Sequence, residues 1–154
     1  MSDLHVTPDD ARIPSPVTLE RVVAALEQAT GEDIAVGTGG ANFTYLEERF
    51  AFSFVSGGDY VSLRTSWETP PLNETSQNAL FTAVNTWNHD HYFPTVYWRV
   101  GEGGRLHVVA DMVSSVRHGL SDAQLRDEVA QAVSSCSDAL NYLQWVTGNM
   151  EHLK

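Results

Sequence analysis

The spacing of apolar residues constrains this chain most, because it switches repeatedly between the two periods that distinguish helices from strands. Leu19, Val22, Val23 and Leu26 form a stripe at helical spacing. Thr18 is placed to cap it, Val17 and Val22 to staple its start, and Gly31 to end it. Alternation follows, with Phe50, Phe52 and Phe54 on one side of a strand. After the Ser-Gly-Gly-Asp loop at 56–59, Val61, Leu63, Thr65 and Trp67 share a side of the next strand, while Asn42 to Glu48 supplies a third.

Pro70 and Pro71 stop the sheet, Asn73 caps a second helix, and Leu80, Ala83, Val84 and Trp87 give that helix an apolar stripe ending near His91. Thr95 to Val100 alternates again, the Gly-Glu-Gly-Gly loop at 101–104 reverses the chain, and Leu106, Val108, Ala110 and Met112 line one face of the following strand. Ser121 with Gln124 forms a capping-box pattern, and Leu120 with Leu125 a staple. A stripe then runs through Leu125, Val129, Ala132, Val133, Cys136, Leu140 and Leu143, with Gly148 expected to close the helix. The order predicts an α+β fold, α-βββ-α-ββ-α, in which three helices pack on an antiparallel sheet of about five strands.

At 154 residues the chain suits one domain, and such a domain buries roughly 70% of the surface its unfolded form exposes. Residues 1–16, acidic and broken by Pro8, Pro14 and Pro16, read as a flexible tail ahead of a single domain over 17–154. Cys136 is the only cysteine. It has no intramolecular disulfide partner and lies on an apolar stripe, so it reads as core in a reducing compartment. No stretch approaches the roughly 20 apolar residues needed to cross a bilayer, and the N-terminus has no signal-peptide run, so a cytoplasmic location is expected. Net charge is −11, and the nine Lys and Arg residues are scattered through every part of the chain. Nucleic acid and anionic membranes are therefore poor partners.

Few residues suggest reaction chemistry. His89 and His91 flank Asp90, but on a helix two residues so spaced point about 200° apart, and a fraying helix end explains them without a metal. Gly37, Gly39 and Gly40 do not open onto a helix, as a phosphate cradle would. Glu47 and Glu48 adjoin Arg49 where neighbouring residues of a strand face opposite ways, so they read as a solvated edge. There is no Gly-x-Ser-x-Gly elbow, His-Glu-x-x-His helix or P-loop lysine. The chain is expected to be no enzyme and to need no cofactor or metal.

The strand faces opposite the apolar ones carry Tyr60, Arg64, Tyr97, Arg99, Arg105 and His107. Tyrosine and arginine are favoured at protein interfaces, so Tyr60, Arg64, Tyr97, Arg99 and His107 form the candidate partner-binding set. A ligand pocket between the sheet and the first and third helices is the alternative functional reading.

The chain resembles the YbjN family of small bacterial proteins, whose fold is similar to that of type III secretion chaperones. The resemblance spans about residues 18–145. It rests on Val-Asn-Thr-Trp-Asn at 84–88, the Phe93-Pro94 entry to a strand, Asp111 late in the next strand, and the Leu120-Ser121 helix start carrying Gln124, Leu125 and Arg126. The glycine run at 37–40 and the acidic tail depart from that pattern. The resemblance implies a chaperone-like sheet able to form a homodimer near the second helix, where Phe81, Val84 and Trp87 are candidates. It also implies a regulatory, protein-binding role with no settled partner.

Overall fold

Local signals in the sequence set the helix starts. Thr18 Oγ1 accepts a hydrogen bond from the Arg21 N–H at 3.3 Å, opening helix α1, Leu19–Thr30, which Gly31 terminates in the left-handed conformation. Asn73 Oδ1 accepts from the Ser76 N–H at 2.8 Å to start α2, Glu74–Asp90. Ser121 and Gln124 form the reciprocal capping box, at 3.1 and 2.9 Å, that starts α3, Asp122–Glu151. Gly148 does not close α3, which runs through it. A single glycine inside a helix costs only about 1 kcal/mol, too little to stop a helix already docked along its length. The computed structural model describes residues 13–151, with side chains to residue 148.

The strands are β1, Ala35–Gly37; β2, Gly40–Tyr45; β3, Glu48–Val55; β4, Tyr60–Glu68; β5, Thr95–Val100; and β6, Leu106–Ser115. They make one sheet in the order β1-β2-β3-β4-β6-β5, every neighbouring pair antiparallel. The expectation of about five strands is thus short by one. The extra strand, β1, is three residues long and joins β2 through a tight turn at Thr38 and Gly39, with Gly37 opposite Gly40. The glycines therefore serve a hairpin. The β2–β3 turn falls at Leu46 and Glu47, both with positive φ, so the second strand ends at Tyr45 and Glu48 already belongs to the third.

All three helices pack on one face of the sheet, α3 lying centrally between α1 and α2. Beneath them are Phe50, Phe52, Leu63, Val96, Val108 and Ala110, together with Leu26, Leu80, Leu140 and Leu143 from the helices. Cross-strand partners Phe43 and Phe50 stack at 5.0 Å. Cys136 is buried in this layer as expected.

Residues 1–12 of the expected tail lie outside the described residues. Of the rest, Ser15 pairs with Leu120 through two backbone hydrogen bonds. Arg21 reinforces the pairing by donating to the carbonyls of Ser15, Pro16 and Leu120 and to Asp122 Oδ1, all within 2.9 Å. Gly119 has φ of 75°, and a Cβ there would meet the Ser15 carbonyl oxygen at 2.6 Å, so the close approach depends on glycine.

Candidate protein-binding face

Because the helices occupy one side, the side chains of opposite parity on β2 to β6 form a face covered by no other element among the described residues. Register brings Tyr60, Arg64, Tyr97, Arg99 and His107 onto this face. One row across the sheet runs Arg49, Ser66, Val109, Tyr97; the next on one side runs Ala51, Arg64, Asp111, Thr95; on the other lie Glu68, His107 and Arg99. Small residues therefore sit between long ones. The result is a depression of about 410 Å³ lined by Asn42, Arg49, Ala51, Arg64, Ser66, Tyr97, Arg99 and Val109.

The structure thus unites three of the expected residues, Arg64, Tyr97 and Arg99, and adds Arg49. His107 adjoins Arg99 across the strands, half-buried, with its Nδ1 enclosed and lacking a hydrogen-bond partner. Tyr60 lies four residues along β4 from Arg64, roughly 13 Å away at strand spacing, outside the depression. Arg105 is in the loop before β6. Sequence reasoning misses Arg49 and Asn42 because a strand running through Glu48 leaves Arg49 at its turn, whereas the turn falls at Leu46 and Glu47. Aromatic parity along Phe50, Phe52 and Phe54 was the signal that assigns Arg49 to the opposite face.

The arginines here retain donor capacity. Among the described residues, the ion pairs within 4.0 Å are Arg21 with Asp122 and His89 with Asp90, neither on this face. Among the described residues, Arg64 Nη1 reaches the hydroxyls of Ser53 and Ser62, each at 3.4 Å, longer than a good hydrogen bond. Asp111, across the ladder from Arg64, instead accepts from Ser62 Oγ at 2.6 Å. Val109 is 6% exposed although no helix covers it, because the surrounding long side chains shield it.

Other candidates resolve differently. His91 follows the end of α2, its Nδ1 3.1 Å from the Trp87 carbonyl oxygen and its ring stacked on Trp87, while His89 pairs with Asp90, so the two histidines do not converge. Among the described residues no group of three His, Cys, Asp or Glu side chains could hold a metal. Burial pushes the Cys136 thiol up to about 12, with the charges of Asp111 and Glu48 adding to it.

Glu48 is not the solvated edge that its neighbours suggested. Burial raises its carboxyl above the usual range; Ser137 offsets part of this and the charge of Asp138 adds to it, while Oε2 is enclosed without a partner. Among the proposed dimer residues, Val84 is 4% exposed and belongs to the chain's own core, which corrects its assignment to an interface. Phe81 stacks on Trp98 at 4.1 Å, and Trp87 Nε1 donates to the Pro94 carbonyl at 3.0 Å; both are half-buried. The interval between the sheet and helices α1 and α3 holds about 20 Å³, room for roughly one water. No helix among the described residues is long and apolar enough to cross a membrane.

Residues 15–145 match the family model YbjN, described as "Putative bacterial sensory transduction regulator". The fold is similar to the crystal structure of YbjN from E. coli, described as "a putative transcription regulator", with a TM-score of 0.65 and 12% identity over 90% of this chain and 97% of that one. The HopA1-SchA chaperone-effector complex has a chain with a TM-score of 0.49 and 13% identity, covering 86% of this chain and 99% of that one. No curated protein matches the chain.

Proposed function

We propose, from the premise that this chain belongs to the YbjN family, that it is a non-enzymatic, regulatory protein-interaction module of the cytoplasm whose binding face is the helix-free side of the sheet. The observation that carries this reading is the depression in which Arg49, Arg64, Arg99 and Tyr97 surround small residues, with no carboxylate within ion-pair distance of the arginines among the described residues. Arginine and tyrosine are, with tryptophan, the side chains enriched as interface anchors, and a guanidinium with unfilled donors can pair with a partner's acceptors. Formation of a homodimer belongs to the same reading.

The test replaces Arg64, Tyr97 and Arg99 together by alanine. The variant is expected to keep the wild-type circular dichroism and melting temperature and to lose partners that wild type captures from lysate of the native cell, identified by mass spectrometry. Identical captured sets would overturn the assignment of the face. A small-ligand sensor with a pocket beneath α1 and α3 is less well supported, because the space there accommodates about one water.

A further inference from the structure

We infer that the open face takes an extended acidic peptide segment with two carboxylate-bearing positions about four residues apart. This rests on the proposed binding face and specifies its occupant. The argument is one of spacing. Arg49 is on β3 opposite Ser66, two residues along β4 from Arg64, so at strand spacing the two backbones are roughly 8 Å apart. Arg99, on β5, lies opposite His107, which lies opposite Glu68, four residues along β4 from Arg64 and two strands away. That places Arg99 about 16 Å from both of the others. A lone oxyanion held between Arg49 and Arg64 lies about 16 Å from the Arg99 backbone, so engaging all three at once favours a ligand longer than a single small ion.

An extended chain rises about 3.3 Å per residue and presents residues i, i+2 and i+4 on one side. Carboxylates at i and i+4, about 13 Å apart, therefore come within arginine side-chain reach of the pair and of Arg99, and an apolar residue at i+2 falls beside the ring of Tyr97, which is 44% exposed. The charge is complementary, since guanidinium groups pair bidentately with carboxylates. The face has two carboxylates of its own, Asp111 and Glu68. Asp111 is engaged by Ser62, and Glu68 adjoins His107 at the rim. The overall charge of −11 opposes anions at long range, so the attraction is local to the three arginines, which suits a segment with two carboxylates better than the continuous phosphate backbone of a nucleic acid.

The probe is a fluorescein-labelled peptide, Ser-Glu-Ser-Leu-Ser-Glu-Ser, titrated with the full chain at low salt and followed by anisotropy. Saturable binding is expected, weakening as salt is raised, with none for the peptide carrying Lys in place of Glu. Binding should also weaken about tenfold in Arg99→Gln and, separately, in Arg49→Gln. Melting curves confirm that each exposed-site variant is folded. The inference is overturned if the Lys peptide binds equally, if both variants bind as wild type does, or if inorganic phosphate displaces the peptide as effectively as unlabelled peptide does. Should the peptide fail while the triple alanine variant still loses its partners, only this inference falls and the binding face stands.

Discussion

Glu48 shows how one residue's protonation is coupled to folding. Its side chain turns to the helix side, near Ser137 and Asp138 of α3, and burial holds its folded-state pKa above the unfolded value. A group raised in this way contributes its full share of stability while protonated in both states, below about pH 4. That share is lost as pH rises through the folded-state value, because the unfolded chain releases the proton first. Glu48→Gln removes the titration. Denaturant unfolding across about pH 4 to 8 should show wild type losing stability relative to the glutamine variant on the way up, and parallel profiles would refute the assignment. The sequence could not disclose this, because the acidic pair at 47 and 48 reads as solvent-facing unless the turn at Leu46 is known.

At the scale of elements, the residues that identify the family prove to join α2 to the sheet. Asn88 Nδ2 donates to the Val96 carbonyl at 2.7 Å while its Oδ1 accepts from the Val96 N–H at 2.9 Å, so one amide side chain imitates a neighbouring strand. Trp87 Nε1 donates to the carbonyl of Pro94, which follows Phe93 through a cis peptide. The Trp-Asn helix end and the Phe-Pro strand entry are therefore one structural unit. Asn88→Ala leaves both backbone groups of Val96, a buried residue, without that partner, and should lower stability by about 1–3 kcal/mol. Asn88→Asp should not rescue it, since a carboxylate cannot donate to the carbonyl. Wild-type denaturation midpoints in both variants would show that the pairing contributes nothing. Helix starts were legible because caps and staples are local, encoded within five residues. The strand β1 was not, since three residues provide too little alternation, and the two-residue turn at Leu46 and Glu47 lacks the glycine or asparagine that usually marks positive φ.

For the molecule as a whole, a sheet with helices on one side leaves two edges as well as an open face, and hydrophobic periodicity cannot order strands distant in sequence. Thus the placement of β6 between β4 and β5 emerged only in the structure. Of the edges, β1 is short, whereas β5 is six residues long. Asn88 occupies the outward backbone groups at Val96, so by strand alternation those of Trp98 and Val100 also point outward. Trp98 is 38% and Val100 75% exposed, and Phe81 stacks on Trp98, so among the described residues an open hydrogen-bonding edge adjoins an apolar rim. Edges of this kind pair with another strand unless they are blocked. We propose that the homodimer implied by the family resemblance forms here, β5 against β5, using Phe81 and Trp98 rather than the buried Val84. Light scattering should give twice the 17.0 kDa chain mass, and Trp98→Lys should shift it to the single-chain mass without unfolding the protein. A wild-type species of 17.0 kDa at high concentration would end the proposal and leave the open face as the only surface through which the fold is proposed to act.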